Sequence, residues 1–102
     1  MGEFVMPGYM IMITYRAKPG YKQAFVDAVT EAGLLSLIRQ ENGCKHYQYY
    51  YPVDQEDTIL LVEEWESIQH QQIHMTQPHM SELMRLKAEY ILETKLNPLQ
   101  IL

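Results

Sequence analysis

Cysteine is nearly absent: Cys44 stands alone among 102 residues, so no internal disulfide can close and the fold must rest on its apolar core. Cations are few as well, eight lysines and arginines against thirteen acidic residues, and they are scattered rather than gathered into a stripe. A chain of net charge −5 without a basic face offers little to a phosphate backbone or an anionic bilayer, so neither nucleic acid nor a membrane is expected as a partner. No apolar run approaches the roughly 20 residues of a membrane span, and none follows a basic start as in a signal peptide. A cytoplasmic location is the resulting expectation. The cofactor fingerprints GxGxxG, HExxH and CxxCH are missing too.

What is present is enough for one domain, which on folding would bury roughly two thirds of its unfolded surface. Residues 1–8 have no period and hold Pro7 and Gly8, so a flexible N-terminal arm is expected there, ahead of a single domain over residues 9–102. The organising stretch is Thr58 to His79. Its first part predicts a strand on which Ile59, Leu61, Glu63 and Trp65 share one face while Thr58, Leu60, Val62 and Glu64 share the other. A short helix follows from Ser67, a natural N-cap, to about Met75, and puts His70 and His74 one turn apart.

The remaining elements fall around it. Tyr9 to Ala17 predicts a strand with Tyr9, Ile11, Ile13 and Tyr15 on one face and Met10, Met12 and Thr14 on the other. Pro19-Gly20 opens a helix expected to continue to about Gln40, where Asn42-Gly43 ends it. Cys44 to Pro52 reads as an aromatic strand, with Tyr47, Tyr49 and Tyr51 on one face. Pro78 interrupts the helical pattern, and a second helix runs on to about Leu92 before a last strand over Glu93 to Leu99. The order is βαββαβ, a ferredoxin-like α+β fold with a four-stranded antiparallel sheet. Two helical elements cover only one sheet face, yet the first and third strands are apolar on both, so a second copy is expected to cover the other and make a homodimer.

Four segments carry a resemblance: Ile13-Thr-Tyr-Arg-Ala-Lys-Pro-Gly20, Glu41-Asn-Gly-Cys-Lys-His-Tyr47, Leu61-Val-Glu-Glu-Trp-Glu-Ser67, and His74 followed by Pro78-His79-Met80. In this order and spacing they resemble the antibiotic biosynthesis monooxygenase family, small dimeric α/β-barrel proteins of ferredoxin-like fold. The resemblance implies a small-molecule site. It leaves the role open among cofactor-independent oxygenation of a quinol or polyketide, haem degradation, and isomerisation of a phosphorylated signalling sugar. The haem-degrading branch fits poorly: it uses an asparagine in the first strand and a histidine deep in the last helix, where this chain has Ile13, Thr14 and Tyr15, and Leu83 and Met84.

With no cofactor expected, an oxygenase must take its electrons from the substrate, so a small aromatic quinol or polyketide-like enol with O2 is the expected pairing. Such chemistry needs a dry pocket, a base to hold the substrate as its anion, and hydrogen-bond donors. His74 is the candidate base, Glu63 the group to orient it or accept from it, and Trp65 a stacking wall with one N–H donor. Tyr47, Tyr49 and His79 are candidates for binding the substrate. Each has a plain structural alternative: Trp65 as core, His74 as packing before Pro78, the tyrosines as a β-forming stripe. Glu63 is harder to explain so, because a carboxylate on a buried face needs a partner. His70 and His74 have metal-pair spacing, but no cysteine or helical acidic ligand completes a familiar set, and no metal is expected. Two further functions compete with the oxygenase: a non-catalytic small-ligand-binding or stress-response dimer, and a phosphosugar isomerase, for which the candidate cations are Arg16, Lys45 and Arg85.

Overall fold

The computed structural model describes residues 8–100, with side chains through residue 97. The expected N-terminal arm, apart from Gly8, lies outside the described residues. The elements are β1 (Tyr9–Ala17), α1 (Lys22–Glu31), α2 (Leu34–Arg39), β2 (Cys44–Tyr50), β3 (Thr58–Trp65), α3 (Ile68–His74), α4 (Met80–Tyr90) and β4 (Ile91–Gln100). The strands form one sheet in the order β2-β3-β1-β4, every neighbouring pair antiparallel. This is the ferredoxin-like arrangement, with β1 and β3 at the centre.

Alternation along the central strands decides which side chains reach the core. In β1 the residues Ile11, Ile13, Tyr15 and Ala17 are buried, and in β3 Ile59, Leu61, Glu63 and Trp65 are, as the period of two requires. The register sets Ile11 opposite Glu63 and Ile13 opposite Leu61. Phe25 and Val29 of α1, Leu34 and Ile38 of α2, and Met80, Leu83 and Leu86 of α4 complete the core on that face. On the reverse face Met10, Met12, Thr14, Leu60 and Val62 remain only half-buried.

The helix expected to run unbroken to Gln40 is two helices. Ala32 ends α1, and Gly33 takes a left-handed φ of 74° before α2 begins. Apolar spacing through Phe25, Val29 and Ala32 hides this break, because a glycine in the left-handed region interrupts the hydrogen-bond ladder without disturbing which residues are apolar. The break turns α2 so that Leu34 and Ile38 still face the core and Glu41 arrives at the end of β3.

Candidate active site

Two local rules bring the site together. The strand period places Glu63 and Trp65 on the same buried face of β3, at 3 % and 0 % exposure. The Ser67 hydroxyl oxygen accepts from the His70 backbone N–H at 3.2 Å and starts α3 at the end of that strand. One helical stretch later His74, the last residue of α3, is 1 % exposed, its ring centroid 4.7 Å from that of Trp65 at an interplanar angle of 34°. Tyr47 closes the other side edge-on, 5.8 Å from the His74 ring. Trp65, His74, Glu63 and Tyr47 therefore form one dry, aromatic-walled cluster.

The hydrogen bonds within it differ from the expected pairing of Glu63 with His74. Glu63 Oε1 accepts from Trp65 Nε1 at 3.0 Å, whereas His74 Nε2 stands 4.0 Å from the same oxygen, beyond hydrogen-bonding reach. His74 instead directs Nδ1 at Glu41, 3.0 Å from each carboxylate oxygen. His79, expected to bind substrate, reaches the same group with Nε2 at 2.7 Å from Glu41 Oε2. Glu41 gave no sign of this in the sequence because it lies 33 residues from His74 and 38 from His79, outside any helical or strand spacing. What positions it is a turn: Gly43 has a φ of 83°, and its carbonyl accepts from the Glu66 N–H at 2.8 Å, tying the start of β2 to the end of β3.

That turn is tightly filled. A Cβ on Gly43 would stand 2.3 Å from His70 Cδ2 and 2.9 Å from His70 Cβ, so neither the ring nor its stem leaves room. Gly43→Ala combines this clash with an unfavourable backbone region and is expected to cost about 2 kcal/mol or more, read as a lowered urea midpoint at unchanged slope. An unaltered midpoint would mean that the turn rearranges freely.

Electrostatics follow burial. Desolvation raises the Glu63 carboxyl above the ordinary value of 4.5, and the Trp65 N–H, His74 and Lys87 offset only part of it. Between the unfolded and folded values the native chain keeps a proton that the unfolded chain has released, so this residue's contribution falls as pH rises through that interval. Glu63→Gln retains an acceptor for Trp65 and removes the ionisation. The variant's stability relative to the parent is expected to improve from acid toward neutral pH, as measured by urea titrations at several pH values. A parallel pair of curves would show that Glu63 ionises at no cost.

Burial likewise pushes the Tyr47 and Tyr49 phenols up, so both serve as neutral hydroxyls. The Tyr49 hydroxyl is enclosed and has no hydrogen-bond partner among the described residues. Tyr49 packs away from the cluster, edge-on to Tyr47 and against Phe25 and Tyr15. Burial also raises the Cys44 thiol. Lys87 was also missed. Its ammonium lies 4.9 Å from the Tyr15 ring centroid, burial lowers its pKa, and the Glu63 charge works the other way. Its place one turn after Leu83, on the inward side of α4, was the available signal.

A pocket of about 170 Å³ is lined by Glu41, Asn42, His70, Ile73 and Gln77, and its link to the cluster is the Glu41 carboxylate bonded to His74. Taken together, the arrangement offers an imidazole, a buried carboxyl, an indole donor and the Tyr47 phenol, suited to taking a proton from a weakly acidic O–H and holding the resulting anion away from water.

The sequence profile of one family, antibiotic biosynthesis monooxygenase, matches residues 8–86. A curated protein of Escherichia coli K12, probable quinol monooxygenase YgiN, is 27 % identical over 100 residues, covering 88 % of this chain and 94 % of that protein. Among solved structures, PA3566 from Pseudomonas aeruginosa superposes with a TM-score of 0.81 at 20 % identity over 98 % of this chain and 99 % of its own. A conserved protein from Methanosarcina mazei Go1 gives 0.82 at 23 % identity, with 92 % of each chain covered. At those identities the two structures speak for the fold alone.

Proposed function

This chain belongs to the antibiotic biosynthesis monooxygenase family, and we propose that it is a cofactor-independent monooxygenase that oxidises a small aromatic quinol or polyketide-like enol with O2. The observation that carries this is the meeting of His74, Trp65 and Glu63 in one water-poor cluster. The name of the Escherichia coli relative supports the quinol class. His74 takes the substrate O–H proton, and the substrate anion then gives electrons to O2 directly. One oxygen atom enters the ring or enol carbon and the other leaves as water, with the substrate supplying all the electrons. Trp65 stacks against the ring, and Tyr47 donates to a substrate oxygen.

Oxygen uptake by metal-free protein with a panel of hydroquinones tests this. Turnover above buffer, lost in His74→Ala, is expected; no turnover with any member would overturn it. The near-complete burial of His74 favours one competing function, a dimer that binds a small ligand without changing it. A thermal-shift screen separates the two when a stabilising compound is recovered unaltered. Of the cations named for the phosphosugar isomerase, Arg16 pairs with Glu93 and Arg85 with Glu82 and Glu89, all in exposed pairs, while Lys45 lines a pocket of about 220 Å³ with Arg39. The homodimer is proposed on the half-buried reverse face of the sheet.

A further inference from the structure

Three elements converge on one carboxylate. Glu41 comes from the turn before β2, His74 from the end of α3 and His79 from the position just before α4. The side chains are 10 %, 1 % and 17 % exposed, so the carboxylate sits between a fully enclosed imidazole and one that reaches solvent. His74 presents Nδ1 and His79 presents Nε2, at 3.0 and 2.7 Å. An ionised carboxylate can only accept hydrogen bonds, which puts a proton on each of the nitrogens facing it.

We propose that Glu41 is the positioning residue for His74, fixing its neutral ring as the Nδ1–H tautomer and leaving Nε2 unprotonated toward Trp65 and Glu63, while His79 holds the carboxylate in place. This rests on the assignment of His74 as base. In the proton-transfer step, the substrate O–H bond breaks, its proton bonds to His74 Nε2, and the electron pair stays on the substrate oxygen. The imidazolium so formed faces the Glu41 carboxylate through Nδ1–H, so positive charge appears where a negative charge already waits. Glu63 is unsuited to this task, being 4.0 Å from Nε2 and committed to the Trp65 N–H.

Long-range proton–nitrogen spectra of the full chain, labelled with ¹⁵N, test this without any substrate. The wild type is expected to show His74 as the Nδ1–H tautomer with a downfield, slowly exchanging ring proton. In Glu41→Gln a single oxygen must serve two donors, so that resonance should move or vanish. An Nε2–H tautomer in the wild type, or an unchanged ring spectrum in Glu41→Gln, would overturn the proposal; if Glu41→Gln does not fold, the wild-type tautomer alone decides. Kinetically, with a hydroquinone that is turned over, Glu41→Gln should lower kcat roughly 100-fold with KM within about twofold, and His79→Gln should lower kcat by less than about tenfold. The expected tautomer without turnover of any quinol would remove the oxygenase while leaving Glu41 as the positioning group of the imidazole. Turnover indifferent to Glu41→Gln would do the reverse.

Discussion

Trp65→Ala is expected to leave the domain unfolded or close to it. The indole is fully buried, and deleting a buried aromatic of this size typically costs about 3–5 kcal/mol through lost transfer energy and the cavity left behind. The same change strips Glu63 of its N–H donor, and a buried acceptor without a partner adds about 1–3 kcal/mol. Set against the roughly 5–15 kcal/mol that holds a domain together, the sum consumes most of the stability. Trp65→Phe shifts the balance between the two contributions, because it keeps a smaller aromatic beside His74 and removes the donor with only part of the packed volume. Urea titrations followed by circular dichroism would read both variants. A midpoint for Trp65→Ala near that of the parent would show that the indole is not where β3 places it.

A comparable loss is expected from Leu60→Asp, for a different reason. Leu60 faces away from the helices, opposite Thr14 on β1, with Met12 paired to Val62 beside it. This face is apolar at its centre and has none of the helical core residues against it. Covering such a surface is worth about 25 cal/mol per Å², and a patch beyond a few hundred Å² is more than monomers usually leave in water. In a face-to-face dimer the aspartate would be buried twice, once from each copy, and each charge would have to leave water. Leu60→Asp, or Met12→Asp, should therefore dissociate the pair and lower the unfolding midpoint together. Sedimentation at micromolar concentration checks this, and a well-folded wild-type monomer would refute the two-sided sheet.

Much of this fold was legible because strands announce themselves through a period of two. The alternation of Ile11, Ile13 and Tyr15 against Met10, Met12 and Thr14, and the same pattern from Thr58 to Trp65, assigned both faces of the central strands correctly. Ser67 marked its helix start through a hydroxyl that caps it. The clustering of Glu63, Trp65, His74 and Tyr47 was legible for the same local reasons. Glu41 was not, since its partnership with His74 and His79 depends on how α2, α3 and α4 meet in space rather than on spacing along the chain. Gly33 escaped notice because a break that preserves apolar periodicity leaves the pattern intact. Lys87 was overlooked because a lysine on an inward helix face reads as a solvated one unless the stem's reach across a tyrosine ring is known.

The brevity of α3 sets a clock on the site. Seven residues make barely two turns, too few to persist by their own hydrogen bonding, and only His74 among them is buried. Ile68 and Ile73, with Met75 just beyond, turn 45 %, 58 % and 54 % of their surface to water, so the segment is anchored mainly by His74 and by the His70 ring against the Gly43 turn. Such a segment opens and recloses far more often than the sheet beneath it unfolds. The frequency of that local opening is then expected to bound how fast a molecule can enter, meet the imidazole and depart, and amide hydrogen exchange across α3 would read it.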